Sequence, residues 1–164
     1  MKRMNNEKTM EIISNMGKVV NNMEKRYLFS GRRIDNIDNG EWVYGHLITD
    51  EMNATKYFIG YVFGTNDDGS PHDYDIVPVD PSTVCRCTGL KDKNGTLIWE
   101  NDIVRCGNIT IVVWDEKFAS WCLTKKNWMY HHFFGEAQNP EDCEVIGNKF
   151  DNPELLCNHS SSRL

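Results

Sequence analysis

Glu100 and Asp102 are two carboxylates separated by one residue, a spacing that places both side chains on the same face of a β-strand. Paired carboxylates of this kind can perform general acid–base catalysis. Both residues, however, lie in a short polar break between two apolar runs, where Asp and Asn side chains ordinarily form the hydrogen bonds of a turn. We therefore expect neither residue to be catalytic.

A second set of side chains has the chemistry to bind zinc: Cys85, Cys87, His131 and His132, with Cys106 as a further candidate. Structural zinc sites usually contain Cys pairs with two to four intervening residues, whereas Cys85 and Cys87 have one. Buried thiols and histidines that contribute to packing are the simpler interpretation. The sequence leaves open whether Cys85, Cys87, His131 and His132 meet in space, and we predict no metal site.

Other ligand-binding and catalytic motifs are also missing. The acidic segments 35–41 and 65–75 do not have the ligand spacing of a calcium-binding loop and are predicted to be turns. No signature of a nucleophilic cysteine surrounds any Cys, and neither phosphate-binding glycine motif occurs. We predict a protein without catalytic residues and without a cofactor, and an enzyme whose site the sequence conceals is the third alternative.

The six cysteines could also form a disulfide framework. Their spacing is irregular, and no secretory signal begins the sequence, so reduced thiols are the favoured interpretation. No apolar run approaches the roughly 20 residues of a membrane-spanning helix. We therefore expect a cytoplasmic protein that does not contact a membrane.

Turn signals divide the sequence into short strands at intervals of about 8–12 residues. In residues 88–105, Asn94-Gly95 predicts a two-residue type I′ hairpin turn. Residues 109–114 (ITIVVW) are the most continuous β-branched run and predict a core strand, whereas residues 64–75 predict an exposed loop. The fold class is mainly β (α+β at most), with compact antiparallel small-barrel-like sheets joined by short turns.

Three blocks of the sequence, GEWVYGHLI, GLKDKNGTLIWENDIVR and EVIGNKFDNPELL, resemble the YopX family of phage and prophage proteins. The resemblance extends over residues 25–156 and implies a β-rich fold and a place in the cytoplasm of a bacterial host. The family is mostly uncharacterised, so it implies no reaction. It usually has Gly-Asp where this chain has Asn101-Asp102. Since Asn is the non-Gly residue that best tolerates a left-handed backbone, we predict a backbone role for Asn101.

The predicted organisation has three parts: an N-terminal amphipathic helix or arm (1–24), a YopX-like β-rich domain (25–157) and a disordered tail (158–164). Met10, Ile13, Val20 and Met23 recur at helical spacing within the first part. A disordered arm and natural translation from Met23 are the alternatives to a packed helix, so the start codon, Met1 or Met23, stays open. Residues 151–154 predict a short C-terminal helical turn.

Charge is divided unevenly along the sequence. Residues 1–33 carry eight Lys or Arg and three Asp or Glu, and the other 131 residues carry ten and 21. An acidic body repels phosphate, so nucleic-acid binding by a basic arm and an aromatic face is the alternative, not the favoured function. The aromatic candidates are Trp42, Tyr44, Trp99, Trp114, Trp121, Trp128 and Tyr130. We favour a non-enzymatic homo-oligomer that also contacts an unknown protein partner.

Overall fold

The computed structural model describes residues 27–35, 38–50, 52, 55–125, 132–136 and 138–157. These residues form antiparallel strands and short 3-10 turns, which confirms the mainly β prediction. The predicted helix 1–24 and tail 158–164 lie outside them. No helix in the described ranges is long and apolar enough to cross a membrane. The chain divides into two compact units, the first through Arg86 and the second from Cys87.

The first unit contains four complete strands and the start of a fifth. They are β1 (Phe29–Arg32), β2 (Trp42–Thr49), β3 (Tyr57–Thr65), β4 (Pro71–Val79) and the first residues of β5 (Cys85–Lys91). Hydrogen-bonded neighbours follow the order β4-β3-β2-β1-β5 and are antiparallel. A bridge between Arg33 and Val79 also joins the end of β1 to the end of β4. The sheet therefore curls back on itself, as the predicted barrel-like architecture requires.

Alternation along these strands separates an inner face from an outer face. The inner face buries Val43, Ile59, Val77 and Val79 in one apolar cluster. A Cβ atom at Gly45 would lie 2.3 Å from the carbonyl oxygen of Gly60, so the backbones of β2 and β3 approach too closely there for a side chain. Glycine thus allows the close approach of β2 and β3.

The prediction of an exposed loop over residues 64–75 is largely wrong. Strand β3 continues to Thr65 and β4 begins at Pro71, so that only Asn66 to Ser70 form the turn. The amide of Asn66 donates to the Ser70 carbonyl oxygen at 2.9 Å, and Gly69 adopts a φ of +82°. Polar residues in this hairpin led to the prediction of a loop, but polar residues are also compatible with strand positions that face away from the core.

The second unit contains the remainder of β5 and six further strands. They are β6 (Leu97–Trp99), β7 (Asp102–Cys106), β8 (Asn108–Asp115), β9 (Ser120–Thr124), β10 (His132–Phe133) and β11 (Glu144–Asn148). Strand β5 pairs with β6, and the other five form an antiparallel sheet in the order β10-β9-β8-β7-β11. Strand β8 lies at the centre of that sheet, which confirms the core strand predicted for residues 109–114.

One cysteine pair contradicts the prediction of six reduced thiols: Cys106 and Cys143 form a disulfide. Strands β7 and β11 pair Arg105 with Glu144, so the next position of that register places Cys106 opposite Cys143. Their Cα atoms are 4.4 Å apart. The 37-residue separation concealed this pairing because register between distant strands is not visible in sequence spacing.

The second unit ends in a 3-10 turn, Pro153–Leu156, where the sequence predicts a capped helical turn. Pro153 occupies its first position, where the missing amide hydrogen is not needed. The Asn152 side chain does not cap the turn. Its Oδ1 instead accepts a hydrogen bond from the Asn148 amide at 3.4 Å.

Candidate functional site

Asp92 organises the hairpin between β5 and β6. Its Oδ1 accepts hydrogen bonds from the amides of Asn94 and Thr96, both at 2.8 Å. Its Oδ2 accepts from the amide of Val145 in β11 at 3.0 Å. Burial raises the pKa of Asp92. The hydrogen bonds from the amides of Val145, Thr96 and Asn94 lower this pKa by a larger total amount, so the net shift is downward. Asp92 is thus an ionised carboxylate that fastens the hairpin to β11.

The hairpin itself is confirmed, but its predicted turn type is wrong. A type I′ turn needs positive φ at both Asn94 and Gly95. Gly95 has a φ of +81°, whereas Asn94 does not have a positive φ. The Gly95 amide donates to the Asp92 carbonyl oxygen at 2.9 Å. The Asp92 carboxylate, by accepting from two amides of the loop, stabilises this longer connection over the two-residue turn.

Asp102 is the most perturbed titratable group among the described residues. It is 8% exposed, and its Oδ2 accepts a hydrogen bond from the Trp99 amide at 2.8 Å. The pKa of Asp102 is raised to about 7, chiefly by burial; the Trp99 amide lowers this pKa and the negative charge of Asp92 raises it, both by smaller amounts. A carboxyl group with such a pKa can exchange a proton near neutral pH. Its low exposure and its backbone hydrogen bond favour a structural role.

Asn101 separates Glu100 from Asp102 and has a φ of +70°, which confirms the predicted left-handed conformation. Its amide donates to the Val112 carbonyl oxygen at 2.8 Å, and its carbonyl oxygen accepts from the Lys149 amide at 3.0 Å. The left-handed residue interrupts the alternation that would place Glu100 and Asp102 on one strand face. The geometry that the paired-carboxylate hypothesis needs is therefore absent from this break. The absence of catalytic residues remains a prediction.

The zinc candidates are distributed among different environments. The Cys85 thiol donates to the Thr83 carbonyl oxygen at 3.3 Å, and Cys87 is also buried. Cys106 is held in the disulfide, and His132 lies exposed on β10. His131 lies outside the described residues. Within the described part of the chain, no group of three or more His, Cys, Asp or Glu side chains could hold a metal ion.

The aromatic candidates mostly pack against neighbouring side chains. Trp114 and Trp121 face each other across β8 and β9 in an edge-to-face contact, with ring centroids 5.0 Å apart. The guanidinium of Arg32 lies 5.5 Å from the centroid of the Trp42 ring. Trp128 and Tyr130 lie outside the described residues. A base-stacking platform needs open ring faces, and each of these contacts covers part of a ring that a stacked base would use.

Sequence reasoning missed an exposed apolar surface on the outer face of β2, β3 and β4. Its members are Ile48, Val62, Tyr74 and Ile76, whose exposed fractions are 40%, 37%, 65% and 50%. The register aligns them on one face, since Val62 pairs with Tyr74, and Ile76 pairs with Gly60. We call this set the outer apolar face.

Gly60 makes the outer apolar face continuous. A Cβ atom at Gly60 would lie 2.8 Å from the Cδ1 of Ile48, so the Ile48 side chain lies across the glycine. Because Gly60 has no side chain, nothing at that position separates Ile48 from Ile76 on the neighbouring strand. Half-buried Phe58, paired with Ile48, adjoins them. Ile48, near the end of β2, is exposed in the described structure.

The part of the chain that carries the outer apolar face is acidic in sequence. Residues 42–80, which include all three strands, carry one Lys and seven Asp or Glu. Asp67 and Asp68 lie exposed in the turn between β3 and β4, and Asp73 beside the turn contacts Nδ1 of His72 at 2.7 Å. Asp73 and Asp75 alternate with Tyr74 and Ile76 along β4, so their side chains lie on the other side of the strand.

Comparison with known families gives one match. The family model described as YopX protein matches residues 32–157, which is more than half of the chain. The match includes the outer apolar face, the hairpin fastened by Asp92, and strand β11. No curated protein matches the sequence.

Proposed function

We propose, from the premise that this chain belongs to the YopX family, that it is a non-enzymatic β-rich module that acts through protein–protein contacts and forms homo-oligomers. The resemblance to phage and prophage proteins supports a role for this module in the cytoplasm of a bacterial host. The outer apolar face is the observation that carries the proposal. It is the contact surface of the module.

The size of the outer apolar face supports this role. Single exposed apolar residues are common on protein surfaces, whereas contiguous ones mark contact surfaces. Complete burial of a fully exposed apolar side chain contributes about 1.5–3 kcal/mol, and each of these four, which are 37–65% exposed, can contribute a corresponding fraction of that. Four adjacent side chains can therefore contribute substantially to offsetting the loss of translational and rotational freedom on association.

The absence of catalysis is supported by the contacts that the acids of residues 88–105 make. The two oxygens of Asp92 accept three backbone amide hydrogens, and Asp102 accepts one more while almost fully enclosed. A general acid or base needs its proton within hydrogen-bond reach of a substrate. Both carboxylates face backbone groups instead. The acidic sequence that carries the outer face also favours a protein over nucleic acid as its partner.

Size-exclusion chromatography with light scattering tests the proposal on the full chain. We expect a mass that is a multiple of 19.0 kDa for the wild type. Tyr74→Lys and Ile76→Lys should shift the mass toward one chain, because each places a charge within the contact. Met52→Lys is the matched control, since Met52 is exposed but belongs to no strand. A wild-type protein that stays monomeric at every concentration would refute the oligomer.

A further inference from the structure

The Cys106–Cys143 disulfide of the second unit joins one accessible cysteine to one enclosed cysteine. Cys143 is fully buried, whereas Cys106 is partly exposed. We propose that Cys106 is a modification site, at which a small thiol of the glutathione class opens the disulfide and becomes attached as a mixed disulfide. The inference goes beyond the proposed contact function and takes from it only the cytoplasmic setting. In that setting disulfides are rare and usually transient or redox-sensing.

Cys143 belongs to the apolar core of the second unit. It lies in the same buried cluster as Val104 and Phe134, and none of its surface is exposed. Its backbone is also held, because its amide donates to the Pro140 carbonyl oxygen and its carbonyl oxygen accepts from the Lys93 amide, both at 2.9 Å. A nucleophile would have to enter the core to reach the Cys143 sulfur.

Cys106 lies where β7 ends, and it packs against this cluster with only part of its surface. Gly107 follows with a φ of +80°, and both Gly107 and Asn108 are exposed. Among the described residues, a Cβ atom added at Gly107 would meet no atom within 4 Å beyond its neighbours in the chain. The space at this turn is therefore open. Since thiol–disulfide exchange requires access to the attacked sulfur, Cys106 is the point of entry and Cys143 is not.

The exchange is balanced by the small thiol alone. The thiolate of a first molecule forms a bond to the Cys106 sulfur, the Cys106–Cys143 bond breaks, and its electron pair leaves with the Cys143 sulfur. Cys143 takes up the proton that the attacking thiol lost. A second molecule then attacks the attached small-molecule sulfur and releases Cys106 as a thiol. The small thiol is oxidised to its own disulfide, and the protein disulfide is reduced.

An acceptor for the released thiol is already in place. The Cys143 sulfur lies 3.4 Å from the carbonyl oxygen of Asn139. A disulfide sulfur carries no hydrogen, whereas a reduced Cys143 thiol can donate to that oxygen. The hydrogen bond forms only after reduction, so it stabilises the opened state and keeps the buried sulfur satisfied within the core.

The disulfide fastens the start of β11, which lies at one edge of the five-stranded sheet. The pairing of β11 with β7 is irregular between Val145 and Gly147. After reduction, Asp92 still accepts from the Val145 amide at 3.0 Å, so β11 itself stays in place. The 3-10 turn before it, Pro140–Asp142, loses its covalent support. The disulfide is therefore a reversible fastening of this turn.

A map of the mixed disulfide on the full chain tests the inference. The oxidised wild type is incubated with reduced glutathione at neutral pH without denaturant, quenched with acid, blocked with N-ethylmaleimide and digested with trypsin. Trypsin places Cys106 in peptide 106–117 and Cys143 in peptide 127–149. We expect at least about tenfold more glutathione on the first peptide than on the second. Equal labelling, labelling mainly of the second peptide, or a disulfide that opens only in urea would overturn the inference.

Two single variants measure the same difference without the partner sulfur. Cys143→Ser leaves the Cys106 thiol and Cys106→Ser leaves the Cys143 thiol, and each is treated with oxidised glutathione. We expect Cys106 to react at least about tenfold faster, with the exposed Cys157 as the internal reference. In urea the two rates should become equal, and a difference that persists there would overturn burial as its cause. The wild-type map requires neither variant and decides the case if one of them unfolds.

Hydrogen–deuterium exchange tests the local release. On reduction, the amides of residues 139–145 should exchange at least about tenfold faster, whereas those of β8 should not change. Unchanged exchange in residues 139–145 would overturn the reversible fastening. None of these measurements requires association, so the inference and the proposed function fail separately. A monomer that carries glutathione at Cys106 refutes the oligomer alone, and an oligomer whose disulfide resists glutathione refutes the inference alone.

Discussion

Replacing Asp102 by Asn should remove the part of the pH dependence of the free energy of unfolding that comes from the Asp102 carboxyl group. The pKa of Asp102 is about 7 in the folded protein, against an ordinary value of 3.8. The folded state therefore binds the proton more tightly than the unfolded chain. The stability that this provides is complete below about pH 4 and is lost as the pH rises toward 7 and above. A difference of about three pKa units corresponds to about 4 kcal/mol.

The substitution keeps the shape of the side chain and removes its titratable carboxyl group. The side-chain oxygen of Asn at position 102 can still accept the hydrogen bond that the Trp99 amide donates at 2.8 Å. It cannot ionise, so it avoids the unfavourable buried charge at neutral pH. As the pH is raised from 4 to 8, we expect the free energy of unfolding of Asp102→Asn to rise by about 4 kcal/mol relative to that of the wild type. Other groups titrate in both proteins, and the difference largely cancels their effects.

Urea unfolding at unit pH steps from 4 to 8, without reductant, measures this difference. Glu100→Gln is the matched control because it removes the other carboxylate of the same break. A difference curve for Asp102→Asn that stays flat within about 1 kcal/mol would refute the reasoning that burial controls this group. If the difference curve for Glu100→Gln were equally steep, the pH dependence would not be specific to Asp102.

Substitutions at three further positions test the structural roles of residues 88–105 and of the disulfide. Cys143→Ser opens a loop of 37 residues and should lower the free energy of unfolding by about 4 kcal/mol, measured by urea unfolding without reductant. Asn101→Gly should be tolerated, whereas Asn101→Val should cost at least about 1–2 kcal/mol because of the positive φ; thermal unfolding compares them. Asp92→Ala leaves three amides without their acceptor and should cost about 3 kcal/mol or more in urea, with a smaller loss for Asp92→Asn.

Local turn chemistry made much of the fold predictable. Gly107 reverses the chain between β7 and β8 with a φ of +80°, and Asn101 takes the left-handed conformation that its family position suggested. Such positions are readable because few residue types tolerate positive φ. The central position of β8 followed from its run of β-branched residues.

Features that depend on long-range register were not predictable. The pairing of Arg105 with Glu144 decides that Cys106 meets Cys143, and no local pattern encodes it. The strand from Pro71 was hidden for a related reason, since its polar residues resemble a loop until β3 is placed beside it. Register and neighbour identity are tertiary properties, and composition does not specify them.

The outer apolar face was missed because the sequence does not reveal which apolar residues become covered. Ile48 and Val62 have the same side-chain character as the buried Ile59 and Val77. Only the curvature of the first unit decides which set faces the core. Only the structure shows which apolar strand residues are exposed, and that exposure is evidence about function.

Asp92 and Asp102 show how two carboxylates of one stretch acquire opposite protonation behaviour. Both are buried, so burial alone would raise the pKa of each. Asp92 accepts three amide hydrogens and its pKa falls, while Asp102 accepts one and its pKa rises. At Asp92 the backbone donors together outweigh the effect of burial, whereas at Asp102 the effect of burial prevails. Variants of these acids should change stability, and variants of the outer apolar face should change association, so the two roles can be separated in one protein.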